Sequence, residues 1–140
     1  MAWFQKRLRL PALPRGFHLI TDVLLSELPE IAALQVGLLH VFVQHTSASL
    51  SLNENADPTV RHDFEEYIKR LAPENQAYYR HTTEGADDMP AHLKAGLLGH
   101  AVSIPITAGA LALGTWQGIW FGEHRTRAPR RWLVVTIQGE

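Results

Sequence analysis

The sequence has no cysteine among its 140 residues, which excludes disulfides, thiol catalysis and cysteine-ligated zinc. Neither sign of charge is in excess, with 13 basic and 14 acidic side chains, so nothing favours a nucleic acid or a membrane as partner. The longest uncharged stretch, between Ala101 and Glu123, is broken by Pro105 and several glycines, which excludes a membrane-spanning helix. The N-terminus has no signal-peptide core. We therefore expect a cytoplasmic protein.

The composition is that of an ordinary globular protein, with 46% hydrophobic and 19% charged residues. A chain of this length buries one core, so we expect a single domain over residues 1–140. Strand patterns cluster at both ends, helices lie between them, and no regular βαβ alternation appears. This arrangement predicts an α+β fold, with a mainly antiparallel β-sandwich-like core and two to three helices.

Turn residues and hydrophobic spacing set the expected element bounds. Thr21 is expected to cap a first helix, and Asp57-Pro58 to open a second that Pro73 ends. The apolar stripe of the second helix is Val60, Phe64, Tyr67, Ile68 and Leu71. Expected strands are 3–10, 17–20, 37–44, 48–53, 101–107, 111–113, 115–123 and 132–138, and expected helices are 22–34, 58–72 and 91–98.

A polar run, residues 45–57, directly follows the strand pattern that ends at Val43. Such a density of donors and acceptors at a strand end is typical of a small-molecule site. Asn53, Asn55 and Asp57 share one face of an extended chain, with the spacing that opens a calcium loop. The loop's glycine is missing, however, and Phe64 stands where its glutamate belongs. A helix cap at Asp57 with an Asx turn is the alternative interpretation.

Three of the eight histidines are candidate metal ligands. His92 is expected in the first turn of its helix, where the helix dipole favours a neutral imidazole. With His45 from a strand end and His81 from a loop, it predicts a three-histidine site with an open position, which suits zinc. Each histidine taken alone is better explained as a surface or capping residue, and it is the three together that favour a metal or catalytic role.

The strand pattern at 115–123 also carries polar groups. Strand alternation puts Thr115, Gln117 and Glu123 on one face, which makes Glu123 a candidate for a polar site. The other face holds Trp116, Trp120 and His124. The tryptophans are expected in the core or at a subunit interface rather than as a stacking platform, and His124 suits either the polar site or a place beside the tryptophans. A turn with arginines at 125, 127, 130 and 131 follows. Those arginines suit either phosphate binding or a solvated hairpin tip.

Several blocks in order resemble the YjbQ-like family of small proteins, of the secondary thiamine-phosphate synthase type. They run nearly from end to end of the chain: Arg15-Gly-Phe-His-Leu-Ile-Thr-Asp22, His45-Thr-Ser-Ala-Ser-Leu50, Asn53-Glu-Asn55, Glu84-Gly-Ala-Asp-Asp-Met-Pro-Ala-His92, Gly114-Thr-Trp-Gln-Gly-Ile-Trp120 and Thr136-Ile-Gln-Gly-Glu140.

The resemblance implies an α+β fold, a homotrimer, and a histidine-lined site for a divalent metal, zinc or magnesium. The implied activity joins a hydroxymethylpyrimidine diphosphate to a thiazole phosphate and releases pyrophosphate. The implied roles are metal ligation by His45, His81 and His92, acid-base chemistry by Glu54, Asp57 and Glu123, and contact with a phosphorylated substrate by Asn53, Thr115, Gln117 and Arg131.

Two other functions fit the same residues. A three-histidine metal site with an open position also suits a hydrolase of a phosphorylated metabolite, with Glu54 or Glu123 as the base. A non-catalytic trimer that binds a metal or another ligand through its histidines is the third possibility.

Overall fold

The computed structural model describes residues 1–140. Its strands are β1 (Ala2–Arg9), β2 (Gly16–Leu19), β3 (Val36–Val43), β4 (Ala48–Glu54), β5 (Ala101–Thr107), β6 (Ala110–Leu111), β7 (Gln117–Glu123) and β8 (Trp132–Gly139). Its helices are α1 (Thr21–Ser26), α2 (Pro58–Leu71) and α3 (Asp88–Leu98), with a 3-10 turn at Pro29–Ala33.

The strands form two antiparallel sheets, which confirms the predicted α+β class. A five-stranded sheet has the order β1-β8-β3-β5-β6, and a three-stranded sheet has the order β2-β7-β4. Alternate residues of β8, namely Leu133, Val135 and Ile137, are buried. They belong to a cluster of 18 buried hydrophobic residues. Burying each such side chain contributes about 1.5–3 kcal/mol.

The helices α2 and α3 pack on the three-stranded sheet. Trp120 is fully buried there against Phe17 and Phe64, with its ring centroid 5.4 Å from each of theirs. Its indole N–H donates to the Glu54 carbonyl at 2.9 Å. Trp120 is therefore a core residue, as its strand position indicates, whereas Trp116 precedes the strand and is 65% exposed.

The first helical region is shorter than the helix predicted over 22–34, and it starts in a different way. It breaks after Ser26 and resumes as the 3-10 turn at Pro29, because proline has no N–H with which to continue a helix. Thr21 does not cap it either. The Thr21 hydroxyl instead accepts the Ile119 N–H at 2.9 Å, which ties α1 to β7.

The third helix begins at Asp88, three residues before the predicted start at 91. Pro90 is compatible with this start, because the first four N–H groups of a helix have no partner within the helix. His92 therefore lies in the second turn and not, as predicted, in the first. The earlier start also places Asp88 and His92 one turn apart on the same side of the helix.

Two details of the remaining elements also differ. Tyr67 and Leu71, predicted in the buried stripe of α2, are exposed, while Ile68 is buried. Strand β7 begins at Gln117 rather than 115, because Gln117 closes a turn with Gly114. The Gln117 side-chain oxygen accepts the Gly114 N–H at 2.8 Å. No helix is long and apolar enough to cross a membrane.

Candidate functional site

His81, Asp88 and His92 form a compact group at the start of α3. One ligand atom from each lies within 4.8 Å of the other two. The Oδ2 atom of Asp88 is 2.7 Å from His81 Nε2 and 3.1 Å from His92 Nε2. The α3 backbone supplies Asp88 and His92, and the loop between α2 and α3 supplies His81.

Asp88 is buried and fixed by Arg125. Only 2% of its surface is exposed, and its Oδ1 atom accepts from the Arg125 guanidinium. Arg125 also donates to Asp87 Oδ2 at 2.9 Å and to the Glu84 carbonyl at 2.8 Å. Burial raises the pKa of Asp88, but the His81 hydrogen bond and the charges of His92 and Arg125 outweigh it and lower the pKa. The carboxylate is thus held ionised with its Oδ2 atom facing the two imidazoles.

The hydrogen bonds of His92 define its protonation. His92 Nδ1 lies 3.0 Å from the Thr46 carbonyl, which can only accept, so Nδ1 carries a proton. His92 Nε2 faces the ionised Asp88 carboxylate at 3.1 Å, so the ring makes both bonds only as an imidazolium, and a bound metal would take the place of the Nε2 proton. A histidine held by a backbone carbonyl on one nitrogen, with the other turned to a carboxylate, has the arrangement usual for a metal ligand.

The donor set fits a divalent cation. Two imidazole nitrogens and one carboxylate oxygen, with open coordination positions, are typical of catalytic zinc sites, and imidazole favours zinc over magnesium. His81 borders an open cavity of about 150 Å³, from which a ligand could reach the group. The other residues lining it are Asn75, Gln76, Tyr79, Thr82, Gly85, Ala86 and Met89.

His45, the third histidine of the predicted metal site, is not part of this group. Its Nε2 atom accepts the Trp132 backbone N–H at 2.8 Å. Burial and the nearby Arg131 lower the pKa of His45, so the ring is neutral and its proton is on Nδ1. With one nitrogen bonded and the other protonated, neither is free for a metal. The structure brings Asp88, not His45, to the two other histidines.

The spacing between Asp88 and His92 was the sequence feature from which Asp88 could have been predicted as a member of the histidine group. Four residues apart on one helix, they face the same side, but a helix start at 91 left Asp88 outside the helix. Arg125 gave no comparable signal, because its contacts with Asp87 and Asp88 join residues nearly forty positions apart.

Glu123 and Arg131 bind each other in the interior. Arg131 Nε and Nη2 donate to the two Glu123 oxygens at 2.8 and 2.6 Å, and both residues are buried. Each group therefore satisfies the other. The roles predicted for them, acid-base chemistry and phosphate contact, would require this bidentate pair to open.

The predicted residues of the 53–57 run have local partners. Asp57 is the N-cap of α2, as expected from Asp57-Pro58, and its Oδ1 accepts the Thr59 N–H at 2.9 Å. Glu54 accepts the Asp57 N–H at 2.9 Å, and Asn53 accepts the Glu54 N–H at 2.8 Å. These bonds stabilise the passage from β4 to α2.

Thr115 and Gln117 lie at the opposite end of β7 from Arg125. Eight residues of extended chain span roughly 26 Å. The carbonyls of Thr115 and Gln117 both accept from the Asn55 side chain at 3.1 Å. Within one chain, the two residues are therefore not brought to the histidine group.

His124, whose role the sequence leaves open, is completely buried. Its Nε2 atom is 2.8 Å from the Ser49 hydroxyl, and its ring packs against Phe17 with centroids 5.6 Å apart. Burial, followed by the positive charges of Lys94, Arg131 and Arg15, lowers the pKa of His124 to about 3. Gly122 allows this close packing, because a Cβ there would lie 2.3 Å from Ser49 Oγ.

Comparison with known proteins gives a consistent result. The family model described as UPF0047 protein YjbQ-like matches residues 6–140. The chain is 52% identical to UPF0047 protein YjbQ of Escherichia coli O157:H7 over 138 residues, 99% of each chain. It is 51% identical to the protein of the same name from Salmonella typhimurium, again over 99% of each.

Solved structures show the same fold. A YbjQ-like protein of unknown function from Sulfolobus solfataricus has a TM-score of 0.82 and 26% identity, covering 99% of this chain and 97% of its own. A hypothetical protein from Aeropyrum pernix has a TM-score of 0.79 and 29% identity, covering 100% of both chains. None of these descriptions gives an activity. In sequence and in fold, the chain belongs to the YjbQ-like UPF0047 family.

Proposed function

We propose that the chain is a metal-dependent enzyme acting on a small phosphorylated substrate. The observation that supports this is the convergence of His81 Nε2, His92 Nε2 and Asp88 Oδ2 beside a small open cavity. His92 is oriented by the Thr46 carbonyl and Asp88 by Arg125. Side chains fixed in this way by outer partners are characteristic of functional metal sites.

The reaction we propose first is the one implied by the family resemblance, the synthesis of thiamine phosphate. A carbon–oxygen bond of the pyrimidine diphosphate breaks, pyrophosphate leaves with the electron pair, and the thiazole nitrogen forms a bond to the methylene carbon. A divalent cation bound by the three side chains would neutralise the leaving pyrophosphate. Arg125 keeps Asp88 in position, and each of its three guanidinium nitrogens donates one hydrogen bond, to Asp87, Asp88 and Glu84 respectively.

The test combines metal content with product formation. Purified protein is loaded with Zn²⁺ or Mg²⁺, its bound metal is measured, and it is incubated with hydroxymethylpyrimidine diphosphate and thiazole phosphate. We expect about one metal per chain and thiamine phosphate above the level of a His92→Ala control. The exposed His62→Ala serves as the matched control that keeps activity. Equal product from wild type and His92→Ala would refute the proposal.

A hydrolase is the second candidate, favoured by the exposed position of His81. Open coordination positions beside the cavity would allow a water to be bound and activated. Assays of phosphatase activity on common phosphorylated metabolites separate the two candidates. Phosphate release that needs metal and His92, without thiamine phosphate formation, would favour the hydrolase.

We also propose that the chain self-associates as a homotrimer, as the resemblance implies. The outer face of the five-stranded sheet exposes large apolar side chains, among them Trp3, Leu38 and Phe42. Exposed apolar surface of this kind marks interaction sites. Sedimentation analysis with and without EDTA tests both this proposal and the third possibility, a non-catalytic trimer assembled by metal. Dissociation on chelation would support assembly by metal, whereas persistence of a trimer would exclude it.

A further inference from the structure

A second cavity, which shares no lining residue with the one beside His81, lies between β2, α1 and α2. Its volume is about 340 Å³, within the range of roughly 300–1,000 Å³ that is usual for small-molecule sites. Six of its nine lining residues have hydrophobic side chains: Leu10, Leu13, Phe17, Leu19, Ile20 and Val23. Such a lining, with few polar groups, is typical of a site for a small ligand with an apolar body.

The walls of this cavity are fixed by the two sheets. The Leu10 N–H donates to the Arg131 carbonyl at 2.8 Å, and the Ile20 N–H donates to the Ile119 carbonyl at 2.9 Å. Leu10, Ile20 and Phe17 are all buried. A ligand would therefore enter a cavity that already exists, which lowers the entropic cost of binding.

Arg61 brings a positive charge to this apolar cavity. It is the only arginine, lysine, aspartate or glutamate among the lining residues. Its Nη1 atom is buried and has no hydrogen-bond partner, and no carboxylate oxygen lies within 4.0 Å of its guanidinium nitrogens. A guanidinium stays charged at any physiological pH and can only donate. Because an unpaired buried donor is costly, an acceptor that reaches Arg61 through the cavity is favoured.

The two acidic residues one helical turn from Arg61 do not neutralise it. Asp57 Oδ1 accepts both the N–H and the hydroxyl of Thr59, at 2.9 and 2.8 Å. Glu65 makes no bond to Arg61, since both of its carboxylate oxygens are unpaired. Neither residue lines the cavity, so no carboxylate of the chain stands there to repel an anion.

We propose that this cavity is a binding site for a small monocarboxylate with an apolar body. One guanidinium presents two parallel N–H donors, which match the two oxygens of a carboxylate. No second charged donor from a lysine or arginine lines the cavity, so a carboxylate suits it better than the more highly charged phosphate group. The site is separate from the metal site and does not depend on the function proposed above.

The size of the cavity limits the ligand. A water molecule has about 30 Å³ of liquid volume, so the cavity has room for about ten non-hydrogen atoms. Octanoate, a straight-chain carboxylate of this size, is therefore a suitable probe. Its carboxylate would bind Arg61 while its chain packs against the hydrophobic lining residues.

Titration calorimetry of the purified protein with sodium octanoate tests the proposal. We expect saturable binding of about one octanoate per chain, since one guanidinium lines the cavity. Acetate keeps the charge without the chain, and 1-octanol keeps the chain without the charge. Both are expected to bind at least about tenfold more weakly than octanoate, because each makes only part of the contacts.

Two substitutions in the cavity test where octanoate binds. Arg61→Met should weaken octanoate binding at least about tenfold, through loss of a charge-assisted pair, while Arg70→Met is the matched control on α2, because Arg70 is 79% exposed. Val23 is 47% exposed, so Val23→Phe should fold and fill the cavity, which weakens binding at least about tenfold. Val23→Ala should stay within about fivefold of the wild type. The Val23 pair remains informative even if Arg61→Met does not fold.

The double variant His81→Ala/His92→Ala excludes binding of the carboxylate to a metal. It is expected to bind octanoate as the wild type does, because neither histidine lines this cavity. The proposal is overturned if the wild type does not bind octanoate at millimolar concentration. It is also overturned if Arg61→Met or Val23→Phe binds octanoate as tightly as the wild type, since the ligand would then occupy another surface.

Discussion

Replacing His124 with glutamine should remove a defined part of the pH dependence of stability. The folded-state pKa of His124 is about 3, against 6.5 for a free imidazole. As the pH falls below 6.5, the unfolded chain therefore binds a proton at this position before the folded chain does. This group leaves stability unchanged above pH about 7 and lowers it as the pH falls from about 6.5 towards 3.

The size of the effect follows from the two pKa values. In that range each pH unit costs about 1.4 kcal/mol of the free energy of unfolding. Between pH about 7.5 and about 5 the loss assigned to His124 is about 2 kcal/mol. Other groups titrate over the same range. Burial also lowers the pKa of His45 and raises that of Glu65, but both groups are present in wild type and variant and cancel in the difference.

Urea unfolding at several pH values measures the effect. The free energy of unfolding of the wild type should fall by about 2 kcal/mol more than that of His124→Gln between these two pH values. The exposed His62→Gln is the matched control and should follow the wild type, because its side chain is 71% exposed. Parallel pH profiles for wild type and His124→Gln would show that His124 does not stay neutral in the folded protein, and the reasoning would fail.

Three further substitutions test other contacts. Arg131→Met should lower the free energy of unfolding by about 3–5 kcal/mol, because it leaves the Glu123 carboxylate buried and unpaired; the Glu123→Leu/Arg131→Met double variant should recover most of this loss in urea titrations. Gly122→Ala should cost about 1–3 kcal/mol through overpacking, and Ser49→Ala in the same background should restore part of it, since Ser49 Oγ is the nearest atom. Arg125→Gln should weaken Zn²⁺ binding about 10–100-fold, measured by competition with a chelator; unchanged affinity would mean that Asp88 needs no orientation by this guanidinium.

Local signals predicted most elements correctly, because they act within a few residues. Asp57-Pro58 predicted a capped helix start, and the structure has Asp57 as the N-cap of α2. Gly99 ends α3 at a φ of 101°, a conformation that favours glycine at a helix end. The start of α3 was predicted three residues too late, at 91. Pro90 is the third helical residue, where its missing N–H would have no partner within the helix in any case.

The candidate site was predicted less completely, for a physical reason. Strand alternation predicted that Thr115, Gln117 and Glu123 share one face. Thr115 precedes β7, however, which begins at Gln117, and a shared face says nothing about distance along a strand. Glu123 and Arg131 were both selected as site residues. They form an ion pair with each other because the end of β7 and the start of β8 come together across a turn.

The sequence by itself determined the pattern of strands and helices, the fold class and the family, because hydrophobic spacing, caps and turns are properties of neighbouring residues. Only the tertiary structure decided which polar groups meet. Asp88 joins His81 and His92 because α3 packs on β4 and its second turn reaches the Thr46 carbonyl. His45 is excluded by one backbone hydrogen bond from Trp132, 87 residues away along the chain. Contacts between residues so far apart in the sequence depend on how sheets and helices pack together, which no local sequence pattern encodes.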